Sequence, residues 1–308
     1  MRFSVVLALS ILLLTSLNVL SQACEDEDYN CQIRQYRNSS DPDEIFNLAF
    51  AYSKKGRHED SIRAYTKYIE LVPEDSLGYY NRGLEYHELK RYREAYEDFD
   101  RAVSVDPEDA DSYYSRADSS CELGEHKRAI DDYSIYIGMV KDDSNAYYSR
   151  GIEYSEIGDL ANAFADYNKG LELNPKDADL YFARAYVRYD MHDLAGCVED
   201  YTKSIDIDPS EEAYFNRALS YFDLADYEHS VVDYTQAIRL DPGDTDAYFN
   251  RGSGYYQLGN DRAAVKDLTK YFKLGGKDLE GYYWRARAYE RLGETKKAEA
   301  DDRKASGQ

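Results

Sequence analysis

The residues of this 308-residue chain that could do chemistry form two sets, one scattered and one strictly spaced. A catalyst or metal site would draw on the scattered set. His58, His87, His126, His192 and His229 lie far apart, without the short spacings that bring imidazoles to one metal ion. There is no nucleophile elbow and no phosphate-binding glycine loop. The strings 106–111 and 241–246 concentrate aspartates, but they lack the glycine and terminal glutamate of an EF-hand loop. This set points away from an enzyme, and neither a cofactor nor a metal is expected.

The spaced set is ionic. Arg82, Arg116, Arg150, Arg184, Arg217, Arg251 and Arg285 are each followed, sixteen residues on, by Asp98, Asp132, Asp166, Asp200, Asp233, Asp267 and Asp301. Where the same register would place an eighth pair, both members are missing: Leu48 and Ala64 stand there. Joint loss argues that the partners meet as structural ion pairs, which position elements more than they stabilise them. A second series is aromatic: Phe46, Tyr80, Tyr114, Tyr148, Phe182, Phe215, Phe249 and Tyr283. Three residues before six of these rings stand acids: Asp43, Asp111, Asp179, Glu212, Asp246 and Glu280. A ladder of rings edged by carboxylates suits a bound segment with basic and apolar side chains. Equally, the rings could pack between helices and the acids could serve helix dipoles. Both readings stand at this point.

These series imply the elements that carry them. Copies of one phrase begin at Pro42, Ser76, Ala110, Ser144, Ala178, Glu211, Thr245 and Leu279. Each has 34 residues except 178–210, with 33, and the last, with 30. Positions 1–14 of each copy read as one helix, about 15–17 as a turn, and the stretch to about 30 as a second helix. Asp41, Asp75, Asp109, Asp143, Asp177, Ser210, Asp244 and Asp278 precede the copies as N-caps. Gly56, Gly124, Gly158, Gly259 and Gly293 mark turns, and five prolines from Pro73 to Pro242 stop second helices. Positions 8 and 20 are always small, as in Gly83 and Ala95, so paired helices can approach closely beside large residues such as Tyr79, Tyr86 and Phe99. A fixed period of this size is the signature of a solenoid, which offers an extended surface in place of a closed pocket.

This pattern resembles the tetratricopeptide repeat across residues 42–308. Copy 76–109 carries the family's residues in Tyr79, Gly83, Tyr86, Ala95, Phe99 and Pro107. Departures are local: Lys141 and Gly276 replace proline, Ser120 and Arg188 replace the aromatic of position 11, and Asp302 replaces that of position 24. The resemblance implies an all-α, right-handed superhelical solenoid of antiparallel helix pairs whose concave face, lined by positions 2, 5, 9 and 12, binds protein or peptide. Trp284 would extend that groove. The carboxylate clamp of chaperone-binding members is absent, because position 5 is never Lys.

Residues 1–23 read as a signal peptide: Arg2, an apolar run from Val5 to Leu20, then Ser21-Gln22-Ala23. The run is short for a membrane span. Without it the chain would hold 37 basic and 60 acidic residues. Such acidity excludes nucleic acid and repels anionic membranes. Residues 24–41 read as an acidic linker. Two fates are open to Cys24, a disulfide with Cys31 or lipidation in the string Leu20-Ser21-Gln22-Ala23-Cys24. The expectation is an exported scaffold, secreted, periplasmic or on an outer envelope. The alternative is a structural component that self-associates through its C-terminal repeat, and membrane contact would come only through a lipid on Cys24 or a retained N-terminal segment.

Overall fold

A computed structural model describes residues 28–307 of the protein. The expected signal peptide and Cys24 lie outside the described residues. Seventeen helices, and no strand, occur among those described. A short helix α1 (Tyr29–Tyr36) precedes eight pairs: α2 (Pro42–Lys54) and α3 (His58–Leu71), α4 (Ser76–Glu88) and α5 (Tyr92–Val105), α6 (Ala110–Glu122) and α7 (His126–Met139), α8 (Ser144–Glu156) and α9 (Leu160–Leu173), α10 (Ala178–Asp190) and α11 (Leu194–Ile207), α12 (Glu211–Asp223) and α13 (Tyr227–Leu240), α14 (Thr245–Gln257) and α15 (Asp261–Lys273), α16 (Leu279–Arg291) and α17 (Thr295–Ala305). The first helix of every pair begins at the residue that opens its copy. The helices form two compact units, divided within α7 after Tyr136. Inside each unit a helix packs chiefly on those just before and after it, the contact pattern of a solenoid.

Seven of the eight expected N-caps accept a backbone N–H of the first turn. Asp109 does not. Its carboxylate is taken instead by the hydroxyl of Ser112, the only serine at position 3 of any copy. The turn at position 15 is left-handed in all eight copies. Five use glycine, with φ between 66° and 77°, whereas Lys90 (58°), His192 (62°) and Ala225 (58°) hold the same conformation with a side chain.

The stretch expected to be a linker contains α1. Its Ile33 and Tyr36 pack on Leu48, Ala49, Ala64 and Tyr65 of the first pair. This accounts for the missing ion pair of that copy: the place of Arg and Asp is filled by an apolar contact with α1.

In the other copies each arginine makes two parallel hydrogen bonds to its aspartate, with N···O distances of 2.6–3.0 Å. The aspartates are buried. The remaining guanidinium nitrogen reaches backwards to the preceding pair. Arg82 donates to Thr66, Arg116 to Asp100, Arg184 to Asn168, Arg217 to Thr202, Arg251 to Thr235 and Arg285 to Thr269. One side chain thus closes its own helix pair and docks that pair on its neighbour.

The small residue at position 8 sets the ring at position 24. In copies with alanine there, the rings of positions 5 and 24 meet edge to face, 5.3–5.4 Å apart at 70–74°. In copies with Gly83 and Gly151 the ring leans into the space of the missing methyl. A Cβ on these glycines would lie 2.7 Å from Phe99 and 2.5 Å from Tyr167. The ring pair opens accordingly, to 5.7 and 6.1 Å and to 55° and 45°.

Two stability predictions follow from this architecture. Arg217→Ala and Asp233→Ala each strand a buried charge and should each cost about 3 kcal/mol, with the double variant losing clearly less than the sum in urea melts; additive losses would exclude coupling. Replacing Lys90, His192 or Ala225 by Gly should raise stability by about 1 kcal/mol apiece, since only glycine enters the left-handed region without penalty. A loss at all three would show that the side chains outweigh the backbone cost.

Candidate interaction surface

The face carrying positions 2, 5, 9 and 12 of the first helices divides into exposed acids and half-buried rings. All six position-2 acids, Asp43, Asp111, Asp179, Glu212, Asp246 and Glu280, are exposed. They lie in the first turns of their helices, where a carboxylate also favours the dipole. The position-5 rings are mostly committed to the core. Phe46, Tyr80, Tyr114, Tyr148, Phe182, Phe215 and Phe249 are half-buried, each against an aromatic of the second helix; Tyr283 alone is exposed, at 46%. The ladder therefore offers ring edges. Position 9 adds open apolar surface at Phe50, Leu84 and Tyr186. Trp284 is half-buried against Tyr256, and its indole N–H donates to Glu280.

Between one first helix and the start of the next, these residues line notches. One of about 450 Å³ is lined by Asp43, Phe46, Asn47, Tyr68, Asp75 and Leu77. Another, of about 480 Å³ in the second unit, is lined by Glu211, Glu212, Phe215, Asn216, Asp241, Asp244 and Asp246 among others. Each joins an acid, a ring edge and an asparagine amide. The asparagines at position 6, Asn47 and Asn216, were not singled out by sequence; their signal was a polar residue beside the ring. The seven Arg–Asp pairs line neither of these two notches.

The cysteines divide in two. Cys31 is disulfide-bonded, and Cys121 and Cys197 are free thiols. Burial pushes the Cys197 thiol up to about 11. Among the described residues no three His, Cys, Asp or Glu side chains are placed to hold a metal ion, and no helix is long and apolar enough to cross a membrane.

Stacked helix pairs of 34-residue period, with a small residue at each close approach, define a helical-repeat protein. Models described as tetratricopeptide repeat match residues 45–75, 76–109, 144–177 and 279–306, and one described as TPR repeat matches 218–259. Together these matches span more than half of the chain, which belongs to the tetratricopeptide repeat family. No curated protein matches it in sequence. Among solved structures it is similar to the C-terminal part of a TPR repeat-containing protein from Cytophaga hutchinsonii, with a TM-score of 0.67 and 16% identity over 78% of this chain and 98% of that one. A tetratricopeptide repeat protein from Parabacteroides merdae gives a TM-score of 0.58 and 19% identity over 80% and 98%. YrrB, described as a TPR protein with an unusual peptide-binding site, gives 0.54 and 23% over 61% and 96%. At these identities the likeness establishes the fold.

Glu211 is the only acid at position 1 of any copy. Burial, then the neighbouring Asp244, with which it hydrogen-bonds, and Asp241 and Glu212, push its carboxyl up to about 7. The folded chain therefore holds this proton more tightly than the unfolded one. The stability it contributes is present below the ordinary value of 4.5 and is lost as pH rises through about 7. Glu211→Gln should accordingly raise Tm at about pH 8, with the gain shrinking towards about pH 4.5 in thermal melts. An equal change at both ends would rule out this titration.

Proposed function

We propose that this protein is a non-catalytic scaffold, exported from the cytoplasm, which holds segments of partner proteins along positions 2, 5, 9 and 12. Proteins of this fold generally serve as interaction scaffolds, and the peptide-binding site described for YrrB supports the same use here. The observation that carries the reading is the notch: exposed carboxylates beside a ring edge and an amide, a combination suited to Lys or Arg next to an apolar side chain. Export is supported by the apolar run and Ala23 at the N-terminus.

The half-burial of the rings decides how to test the surface. Truncating Phe215 would damage the core, whereas Glu212 and Asp246 are exposed and can be reversed in charge without harm to packing. Peptides selected on the chain should be enriched in Lys or Arg interleaved with aromatic or aliphatic residues. Glu212→Lys/Asp246→Lys should weaken them at least tenfold while the circular dichroism spectrum is unchanged. Selection of acidic peptides on this face, or equal binding by the variant, would sink the reading. For export, intact-mass analysis of protein from its own host should show residues 1–23 missing. A diacylglycerol-sized excess would place a lipid on Cys24, and a chain starting at Met1 would exclude processing.

A further inference from the structure

Charge is unevenly shared along this acidic chain. Residues 262–308 hold 12 Lys and Arg against 8 Asp and Glu, whereas the preceding 261 residues hold 26 against 52. The excess is concentrated on α15, where Arg262, Lys266, Lys270 and Lys273 follow one another at intervals of four, four and three residues. That spacing lines them along one face of the helix.

Comparison of the copies shows that the stripe belongs to this one alone. The same four positions read Glu59, Arg63, Lys67, Glu70 in the first copy and Arg93, Glu97, Arg101, Ser104 in the second. They read Ala195, Glu199, Lys203, Asp206 in the fifth and Glu228, Val232, Gln236, Arg239 in the sixth. In the last copy they read Lys296, Ala300, Lys304, Gly307, with two cations, and in every remaining copy an acid stands among them. On α15 it is uniformly basic.

The four cations border a cleft of about 560 Å³ whose other walls are Tyr248, Arg251, Val265, Asp267 and Thr269. Its only carboxylate, Asp267, is already held by two hydrogen bonds from Arg251. No carboxylate pairs with Arg262, Lys266, Lys270 or Lys273 among the described residues; Lys270 instead lies over the Tyr248 ring, 5.7 Å from its centroid. Arg262, Lys266 and Lys273 are exposed. Positive charge thus stands uncompensated around a partly apolar floor.

We propose that this cleft, on the second-helix side of copy 245–278, docks a short acidic peptide segment of a partner protein. Three features select that class of ligand. From Arg262 to Lys273 the helix rises about 16 Å, the length of about five residues of extended chain. Carboxylates on alternate residues of such a chain recur about every 7 Å, close to the 6 Å rise between α15 cations four residues apart. The surrounding acidity sets the upper limit. A long polyanion such as nucleic acid would overrun the stripe onto repelling surface, whereas a short acidic run flanked by neutral residues would not. Tyr248 and Val265 add contact for an apolar neighbour, which a free small anion would leave unused. The site shares no residue with the groove described above: its cations stand on α15, only Tyr248 and Arg251 come from the first helix α14, and its charge is opposite.

A fluorescent probe containing Glu-Glu-Asp-Glu-Glu between glycine-serine flanks tests the proposal on the full chain. The probe should bind with a micromolar Kd that weakens more than tenfold between 50 and 300 mM salt, and its lysine counterpart should not compete. Lys266→Glu/Lys273→Glu should lower the affinity at least tenfold. Arg63→Glu/Lys67→Glu, two cations on the same face of the first copy's second helix, should leave it unchanged. Helical circular dichroism and binding of the basic groove peptides serve as fold controls for both variants. Equal binding by the α15 variant, or no binding up to millimolar probe, would overturn the proposal. So would tighter binding of a long heparin fragment through the same residues. Concentration-dependent growth in sedimentation, abolished by the α15 variant, would assign the cleft to a second copy of this chain and would equally overturn it.

Discussion

Everything in this stack depends on where seven guanidinium groups are held. Each is gripped in a fork by a buried aspartate of its own helix pair, and the third nitrogens of Arg82, Arg116, Arg184, Arg217, Arg251 and Arg285 are bound to polar atoms one pair earlier. Tyrosine at position 4 covers the group in most copies, as with Tyr113 over Arg116 and Tyr181 over Arg184. A buried charge is costly unless its hydrogen-bonding sites are filled, and this arrangement fills them from three directions. The geometry that satisfies it allows little freedom, because the fork is planar and the arm short. Helix spacing within a pair and docking between pairs are therefore set by one side chain. Apolar contacts then add most of the energy around a frame that polar contacts define.

The small residue at position 8 works within that frame. The difference between glycine and alanine appears in the tilt of the opposite ring. That tilt moves the edge presented by position 5. Tyr80 and Tyr148 accordingly stand differently from Tyr114, although the same ring stands at the same register. The face that meets a partner thus inherits variation from the core beneath it.

Much of this was legible in the sequence because a repeat is its own control. Eight copies reveal which positions are fixed, and the joint absence of Arg and Asp at Leu48 and Ala64 identified a contact that a single copy would have hidden. The helix starts were equally plain, since aspartate before a fixed register has one physical use. What escaped was whatever occurs once. Helix α1 has eight residues and three anchors, Tyr29, Ile33 and Tyr36, a single run at helical spacing with no second copy to set it apart from chance. Asp109 fails to cap because of Ser112, a substitution unique to its copy. One recurring feature escaped as well: the backward reach of the arginines rests on Thr66, Asp100, Asn168, Thr202, Thr235 and Thr269, which share position 25 of their copies, but the residue type there changes between Thr, Asp and Asn and so hides the register. The division of the position-5 rings between core and surface was beyond reach as well, because a large aromatic serves both and periodicity cannot apportion it.

The apolar seat of α1 on the first pair gives the array a grammar. Six joints are written in the same polar terms, an arginine answered by a short polar group behind it, so units of this kind can follow one another. The first unit has no such arginine and accepts only the helix that precedes it. Copies could therefore be duplicated or lost in the interior with each new joint already complete, while a first copy moved inward would leave an apolar patch facing a hydroxyl. Change in the length of such a chain is channelled to its middle, and the chain's beginning is specified chemically as well as by position.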